Sequence, residues 1–397
     1  MYSAELKDLC NKYLNDIIRY RHQFHMYPEL GDKEFKTSKA VADELRKHNI
    51  KVTENVTGTG VVGILQGKYL GKTVLLRADM DALPIQESTD VPYKSKVDGV
   101  MHACGHDGHT ASLLGAAMIL SELRDRLHGT VKFIFQPNEE YGDSARLMVE
   151  GGILENPHVD AAFGMHFWGA FLEGKVYVKH GPAMSAPDKF IFKVVGKGGH
   201  ASTPHLCVDP VMITVQAINN MQSIISRRKS TFEPAVISFC SIKAESEYNI
   251  IPEVVEVIGT IRTFDSSLRL WIIDSMEQIL KSTVESQGAK YEFIIDENYS
   301  LPPVINDYKL TDLVQSAAEK IIGKENVEEL KEPLMSSEDY AFFSKAVPSS
   351  FFFVGISPDG NEVIHHNPNF QWNDKNLYTS ACVMAQSVVD FLNEKEQ

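Results

Sequence analysis

The chain has 397 residues, 43% hydrophobic and 23% charged, with a formal net charge of -14 at pH 7. This composition is typical of a globular protein of about two domains, and the negative charge argues against nucleic acid or an anionic membrane surface as a partner. The N-terminal segment is polar and amphipathic, unlike a secretory signal, and the 5 cysteines are widely scattered. We therefore expect a cytoplasmic protein with reduced thiols that binds neither nucleic acid nor membrane.

The first part of the chain alternates between helices and strands. Apolar residues at helical spacing predict helices within residues 5–49, broken near Pro28 and Gly31. The elements predicted after them are strands at 60–65, 73–78, 131–136 and 159–166 and helices at 109–123 and 143–149. Because these strands are apolar and alternate with helices, we predict an α/β domain with a mostly parallel sheet.

From about residue 185 the predicted order becomes β-α-β-β-α-β, which is the ferredoxin-like signature. Its elements are strand 190–195, helix 209–227, strands 234–242 and 254–262, helix 267–287 and strand 291–295. The earlier alternation resumes after residue 307, with a strand at 350–354 and a helix at 377–392. These patterns predict a discontinuous catalytic domain, 1–184 plus 300–397, that carries an inserted α+β domain at 185–299.

The segment MHACGHDGH, residues 101–109, is the densest cluster of groups that can bind a metal. Cys104 and His106 are two residues apart, so their side chains face the same way in an extended loop. A thiolate and an imidazole suit Zn²⁺ or another borderline transition metal, and a helix starting near His106 would help to ionise the thiol. The alternative is an ordinary loop, and we expect His102 and His109 to be structural.

Further candidates follow apolar strands. Glu139 and Glu140 come just after one strand, at the kind of edge where ligands of open α/β sheets gather. Adjacent residues in extended chain point apart, so one carboxylate can bind metal while the other faces the reacting water; the alternative is a solvated acidic turn. His166 closes another strand, where a core histidine is the alternative, and one of His365 and His366 could reach the same site.

The predicted insertion contributes three candidates. The glycine-rich turn GKGGHAS, residues 196–202, presents His200 and lacks the spacing of a phosphate loop. Asn249 lies in a turn before a short apolar run, and Arg262 closes a strand. A guanidinium can hold a carboxylate by two parallel hydrogen bonds, but a surface ion pair is the alternative for Arg262.

Segments along nearly the whole chain resemble the M20 family of metallopeptidases, in its aminoacylase and amidohydrolase branch. That branch includes hippurate hydrolases, N-acetyl-amino-acid deacetylases and auxin-conjugate hydrolases. The segments are RHQFHMYPELGDKEFKTS (21–38), RADMDALPIQE (77–87), MHACGHDGHTA (101–111), FQPNEE (135–140), GMHFWG (164–169), GKGGHAS (196–202), NIIPE (249–253), GTIRTF (259–264), MSSEDYAFF (335–343) and HHNPNF (365–370).

The resemblance implies a zinc-peptidase-like catalytic domain with a mixed, mostly parallel sheet and two divalent ions per subunit, Mn²⁺, Zn²⁺, Ni²⁺ or Co²⁺. It makes Cys104 the bridging ligand, Glu139 the general acid/base and Asp81 a residue that orients a ligand. The remaining implied ligands are His106, Glu140, His166 and His366. Many relatives carry His where this chain has Asp79 and Asp where it has Cys104, and the branch resembled here shares both changes.

The resemblance also implies that the inserted domain is a lid and the interface of a homodimer. His200 would reach the neighbouring subunit's active site and steady the reacting carbonyl oxygen, while Asn249 and Arg262 would grip the substrate's carboxylate. The implied reaction is hydrolysis of a small N-acyl amino acid, N-acetyl or N-aroyl. A metallo-carboxypeptidase or dipeptidase that cleaves short peptides is the main alternative. A binding module or a thiol redox protein is disfavoured, because every implied ligand is present and no CxxC occurs.

Overall fold

The protein folds into two compact units. The computed structural model describes residues 2–141 and 143–393. The first unit is Met1–Ala183, Val304–Pro333 and Asp339–Gln397, and the second is Met184–Pro303 and Leu334–Glu338. The predicted insertion lies within the second unit, but no sequence pattern indicated that the short return segment Leu334–Glu338 also belongs there.

The regular elements of the described residues are numbered in chain order. The helices are α1 (Tyr2–Met26), α2 (Phe35–Lys47), α3 (His106–Glu122), α4 (Ser144–Glu150), α5 (Pro210–Ser223), α6 (Ser266–Glu285), α7 (Tyr308–Ile322), α8 (Ala341–Ala346) and α9 (Asn376–Asn393). The strands are β1 (Lys51–Val56), β2 (Gly60–Gln66), β3 (Tyr69–Asp79), β4 (His128–Gln136), β5 (Ala161–Leu172), β6 (Val176–Val178), β7 (Gly181–Met184), β8 (Ala186–Val195), β9 (Gly199–His200), β10 (Ala235–Lys243), β11 (Ile250–Ile251), β12 (Val254–Thr263), β13 (Lys290–Asp296), β14 (Val304–Asn306), β15 (Val327–Glu329) and β16 (Ser349–Ser357).

Two predicted helices have different limits in the structure. The helix expected at 109–123 begins earlier, at His106, because the polar HDGH segment already forms its first turn. The helix expected at 209–227 is α-helical only as far as Ser223 and continues as a π-helical turn, Ile224–Arg228. No described helix combines the length and the apolar character needed to cross a bilayer.

The first unit is built on an eight-stranded mixed sheet in the order β1-β2-β4-β3-β5-β16-β6-β15. Its central strands β4, β3, β5 and β16 run parallel. Strands β1 and β2 are antiparallel to their neighbours, and β6 is antiparallel to β16 but parallel to β15. Parallel strands expose their carboxyl ends at one edge, where polar side chains can converge. The prediction of a mixed, mostly parallel sheet is confirmed.

Helix α3 lies in the core of the first unit. All of its residues from His106 to Leu120 are buried, which explains why the sequence has no polar stripe in this segment. A Cβ atom on Gly115 would lie 2.4 Å from Cδ1 of Ile17 and 3.2 Å from Cβ of Ala381, so glycine lets α1 and α9 pack closely on α3. This packing fixes the position of the helix's N-terminus, next to Cys104.

The second unit has the predicted ferredoxin-like order of elements, β8-α5-β10-β12-α6-β13. Its sheet order is β10-β12-β8-β13, and all three pairings are antiparallel. Helices α5 and α6 pack together and cover one face of this sheet with a separate apolar core. The smaller pair β9–β11 joins the turn that carries His200 to the segment that follows Asn249.

A buried group of charged side chains ties α1 to the start of α3. Nδ1 of His25 lies 2.9 Å from Oδ2 of Asp107, and its Nε2 lies 3.3 Å from Oε1 of Glu87. Arg21, one turn earlier on α1, also contacts Asp107 and lies over the Trp372 ring, 3.5 Å from its centroid. Burial disfavours the imidazolium, but the hydrogen bonds to Asp107 and Glu87 outweigh burial and raise the pKa of His25 to about 9.

This arrangement predicts an alkaline loss of stability that depends on His25. Because the folded pKa is raised above the usual 6.5, the stabilisation is fully present below pH 6.5 and is lost as the pH rises through about 9. We expect the difference in unfolding free energy between wild type and His25→Gln to shrink by on the order of 3 kcal/mol between pH 6 and 10. Urea denaturation of metal-free wild type and metal-free His25→Gln at each pH measures this difference in unfolding free energy.

His158→Gln is the matched control, because that histidine is exposed beside Glu155. Its difference from wild type should stay constant across the same pH range. A constant difference for His25→Gln as well would show that the histidine does not carry its charge between the two carboxylates.

Candidate metal centre

The candidate ligands lie at the carboxyl edge of the parallel strands. Asp79 ends β3, Gln136 ends β4 just before the glutamate pair, and His166 lies in β5, two residues beyond the last pairing of β5 with β3. Cys104 and His106 are brought to this edge by the start of α3. Gly105 between them has φ of +100°, a left-handed conformation that glycine adopts at little cost.

Two histidines are held so that one ring nitrogen stays available. Nδ1 of His106 donates to the main-chain carbonyl of Asp81 at 2.9 Å, and Nδ1 of His166 donates to that of Phe167 at 2.6 Å. In the neutral rings each Nε2 is therefore left with its lone pair. Nε2 of His166 lies 3.5 Å from Sγ of Cys104. Histidine ligands of metals are oriented by this type of Nδ1 hydrogen bond.

The electrostatics of the centre favour a cation. Nε2 of His106 is buried, lies 3.7 Å from Asp79 and 3.9 Å from Glu140, and has no hydrogen-bond partner within the described part of the chain. Burial opposes a charge on this ring, yet Asp79 and Cys104 raise the pKa of His106 well above its usual value. The pKa of the Cys104 thiol is also raised, in this case first by burial and then by the negative charge of Glu140. A metal ion would relieve both effects by neutralising the carboxylates.

The glutamate pair points in two directions. Oε1 of Glu140 lies 3.2 Å from Nε2 of His366, and the Glu140 N–H donates to Oδ2 of Asp81 at 3.0 Å. Glu139 instead accepts from the N–H of Asp339, at 3.4 Å. Asp81 thus contacts two of the predicted ligand residues, through its carbonyl on His106 and its carboxylate on Glu140, as expected for a residue that orients ligands.

The predicted ligands form overlapping groups. Their ligand atoms lie within 4.8 Å of one another in the sets Cys104–His106–His166, Cys104–Glu140–His366 and His106–Glu139–Glu140. One sulfur, three imidazoles and carboxylate oxygens form a mixed donor set of the kind that borderline divalent ions prefer. The residues present therefore fit a metal centre, and Cys104 belongs to two of the sets.

The structure separates the two neighbouring histidines of the C-terminal loop. His366 turns towards Glu140 and has φ of +56°, an uncommon conformation for a residue with a side chain and one that concentrates at functional sites. His365 makes different contacts, and its Nε2 accepts the N–H of Gly169 at 2.9 Å. The geometry is consistent with the predicted choice of His366.

The two other histidines near Cys104 do not offer a ligand in the same way. His109 uses both nitrogens, because Nδ1 contacts Asp79 at 2.7 Å and Nε2 accepts the Phe167 N–H at 3.0 Å. Burial lowers the pKa of His102 to about 4, so its ring is neutral. Both residues were expected to be structural.

Several residues that shape the centre were not recognised in the sequence. Arg77 donates hydrogen bonds to Asp79 at 2.8 Å and to Asp339 at 2.7 Å. It thereby connects the end of β3 to the segment just before α8. Glu34 accepts the N–H of Asn138 at 2.9 Å, and this contact holds Asn138 at φ of +50°, directly before the glutamate pair. The apolar strand containing Arg77 was itself a signal, since a buried arginine requires an acidic partner.

The three candidates from the predicted insertion lie in the second unit. Nδ1 of His200 accepts from the N–H of Ser202 at 3.1 Å, and the following residue, Ala201, donates its N–H to the Asn249 carbonyl at 3.0 Å. Arg262 lies on β12 and donates to Oγ of Ser337 at 3.1 Å, and burial lowers its pKa. The negative charge of Asp188 partly opposes this effect of burial.

The sequence and the structure have known relatives. The model of peptidase family M20/M25/M40 matches residues 75–390. The chain belongs to this family. Thermostable carboxypeptidase 1 of Saccharolobus solfataricus is 39% identical over 98% of the M20 chain and 100% of its own length. An N-acyl-L-amino acid amidohydrolase of Geobacillus stearothermophilus is 42% identical over 77% and 82% of the two lengths.

A solved structure supports the same assignment. It is described as a dinuclear metal binding peptidase of the M20 family from Bacillus subtilis, with a TM-score of 0.84 and 32% identity, and the similarity covers 97% of this M20 chain and 100% of that one. The predicted family, fold class and hydrolytic action on amides are thereby confirmed.

Because Cys104 belongs to two of the ligand groups, we expect metal binding by this M20 protein to depend on it. We expect Cys104→Ala to weaken the binding of divalent metal by more than about a hundredfold, since even partners outside the ligand set are worth 10–100-fold. Elemental analysis after dialysis measures the metal content. Cys240→Ala, at an exposed cysteine of the second unit, is the control and should keep full occupancy. Full occupancy in Cys104→Ala would exclude the sulfur as a ligand.

Proposed function

We propose that this M20-family protein hydrolyses the amide bond of N-acyl amino acids, with N-acetyl or N-aroyl groups, and uses two divalent ions per subunit. One observation carries the proposal. The buried Nε2 of His106 has no hydrogen-bond partner among the described residues, yet His106 belongs to groups whose ligand atoms lie within 4.8 Å of one another. A buried polar atom of this kind is rare and needs a partner that the chain itself does not supply.

The predicted five residues would hold the ions, with Cys104 central among them because it belongs to two of the ligand groups. The other four are His106, Glu140, His166 and His366. Bound there, divalent ions would supply Lewis acidity, which polarises a carbonyl group and acidifies water. The donor set is compatible with Mn²⁺, Zn²⁺, Ni²⁺ or Co²⁺, which are the predicted alternatives.

Glu139 is proposed to move the proton. Adjacent to the ligand Glu140 but turned towards the Asp339 N–H, its carboxylate is restrained by the main chain. It would take a proton from the attacking water and return it to the leaving amine, so that one carboxylate acts first as base and then as acid.

His200 is proposed to donate a hydrogen bond to the reacting carbonyl oxygen, within the active site of the neighbouring subunit. Its Nδ1 accepts the N–H of Ser202, so the neutral ring carries its proton on Nε2. The side chain is exposed. A preformed N–H of this kind stabilises the charge that develops on the oxygen in the transition state.

Asn249 and Arg262 are proposed to bind the carboxylate of the substrate. Arg262 is held on a strand, and its one hydrogen bond within the described part of the chain, to Ser337, leaves most of its donors for a ligand. A bidentate contact would fix the substrate and select for molecules that end in a carboxylate.

A homodimer through the second unit belongs to the same proposal. Strand β10 lies at the edge of its sheet, and large apolar side chains of this unit are exposed, including Phe232 at 95% and Tyr248 at 96%. Unpaired strand edges and exposed apolar groups are the features of a surface that pairs with another chain.

The Glu139→Gln substitution tests the proton transfer. An amide cannot accept the proton, so kcat for N-acetylmethionine should fall by roughly 10²–10⁴-fold or more. Bound metal, measured by elemental analysis, should stay at the wild-type level. Loss of metal together with activity would show that Glu139 is a ligand and that the two glutamates are assigned the wrong way round.

A substrate panel tests the reaction itself. Hippurate, N-acetylmethionine, its carboxamide and a dipeptide are compared in wild type and Arg262→Lys, each with the four metals. We expect hydrolysis of the N-acyl amino acids, and a KM that Arg262→Lys raises by roughly 10–100-fold, because lysine keeps the charge but loses the bidentate contact. The carboxamide should be a poor substrate and show little further change.

Arg227→Lys, an exposed arginine of the same unit, is the control. Faster cleavage of the dipeptide than of any N-acyl amino acid would favour the carboxypeptidase or dipeptidase alternative, which the relative named carboxypeptidase supports. An unchanged KM in Arg262→Lys would place the carboxylate elsewhere.

A further inference from the structure

The proposed mechanism assigns no role to His365, the histidine next to the proposed ligand His366. We infer that His365 is a positioning residue whose Nδ1–H hydrogen-bonds to the sulfur of Cys104 and tunes this sulfur as a metal ligand. The inference rests on the proposed metal centre and concerns only the residues of this chain.

The tautomer of His365 follows from one hydrogen bond. The main-chain N–H of Gly169 points at Nε2, 2.9 Å away. An N–H group can only donate, so Nε2 must be the unprotonated nitrogen, and the neutral ring carries its proton on Nδ1. This nitrogen lies 4.0 Å from Sγ of Cys104, the upper limit of hydrogen-bond distance for sulfur, and the Cys104 main chain also accepts from the ring. The proton is therefore directed at the cysteine.

The position of the ring is fixed on several sides. The Gly169 carbonyl accepts the N–H of Val363 at 2.9 Å, and the Ala103 carbonyl accepts the N–H of His366 at 2.8 Å. The loop is thus fastened both to β5 and to the residue before Cys104. A Cβ atom on residue 169 would lie 1.8 Å from the Val363 carbonyl oxygen, so only glycine permits this approach.

Aromatic contacts complete the placement. The His365 ring lies 5.2 Å from the Trp168 ring and 4.9 Å from that of Phe370, measured between centroids. A ring packed in this way cannot rotate freely, so its Nδ1 stays on the side of Cys104. These contacts therefore hold the His365 ring in one orientation.

His365 does not compete with His366 as a ligand. Its Nε2 is occupied by Gly169, and Nδ1 carries a proton. The group of ligand atoms within 4.8 Å that contains Cys104 and Glu140 is completed by His366. The adjacent histidines therefore have different roles: His366 offers a lone pair to a metal ion, and His365 offers a proton to the sulfur of Cys104.

A hydrogen bond to a metal-bound thiolate draws electron density away from the sulfur. The sulfur then donates less charge to the metal, and such bonds are a recognised means by which proteins tune sulfur ligands. In a cobalt-loaded protein this lowers the energy of the sulfur electrons. Loss of the bond should therefore move the sulfur-to-cobalt charge-transfer absorption to longer wavelength.

Two amide substitutions separate the two hydrogen bonds of the ring. In His365→Gln the side-chain amide reaches the position of Nε2 and can still accept from Gly169, but the donor towards Cys104 is lost. In His365→Asn the shorter amide occupies the position of Nδ1 and keeps that donor, but the contact to Gly169 is lost. Each variant is loaded with Co²⁺ and its near-ultraviolet spectrum is recorded.

We expect His365→Gln to shift the charge-transfer band to longer wavelength and to change cobalt affinity by roughly 10–100-fold. His365→Asn should keep the wild-type band. The reverse result, with the band kept in the glutamine variant and shifted in the asparagine variant, would show that the ring only anchors the loop and would overturn the inference. Unshifted bands in both variants would also overturn it.

The same spectra distinguish this inference from the proposed centre. If wild type itself shows no sulfur-to-cobalt band, Cys104 is not a ligand and both proposals fail. If wild type shows the band and only the pattern of the variants disagrees, the centre stands and the role of His365 falls. Circular dichroism of the metal-free variants checks that each one is folded.

Discussion

The centre of this protein depends on how its histidines are held by the main chain. In His106 and His166 an Nδ1–H donates to a carbonyl oxygen, which leaves both Nε2 atoms unprotonated in the neutral rings. One carbonyl belongs to Asp81, two residues after the end of β3, and the other to Phe167 within β5. The sheet therefore determines not only where the rings lie but also which nitrogen faces the neighbouring ligands.

Charge balance follows from the same arrangement. Three carboxylates lie close to His106, those of Asp79, Asp81 and Glu140. Arg77 contacts Asp79 and offsets part of their negative charge. Burial opposes the ionisation of Asp79, yet His106, His109 and Arg77 hold its pKa well below the usual range. An excess of carboxylates remains, and a divalent ion is the partner that would balance it. Burying these carboxylates without a metal ion costs free energy, because their charges are only partly compensated.

The supports of the site come from distant parts of the chain. Glu34, directly before α2, restrains the residue before Glu139. Asp339 follows the segment that belongs to the second unit, and Gly169 anchors the loop of His365 and His366. These contacts hold the ligands at fixed distances through main-chain groups, which tolerate little change. Such preorganisation is what a hydrolytic site requires.

The sequence by itself determined the main elements, the fold class and the family, and it supplied the candidate residues of the site. Apolar periodicity reports which segments are buried, ten segments in order resemble those of one family, and thiol, imidazole and carboxylate groups after strand ends carry a recognisable chemistry. Motifs such as MHACGHDGH and FQPNEE are local, so their composition can be read without knowledge of the fold.

Only the tertiary structure decided which atoms meet. From residues alone, His365 and His366 were equivalent, and a contact between Gly169 and the loop, together with a positive φ at His366, distinguishes them. Arg77, Glu34 and Asp339 gained their roles in the same way, from partners far apart in sequence. Long-range hydrogen bonds leave no local pattern, because their specificity lies in the distance between two segments and not in the residues of either one.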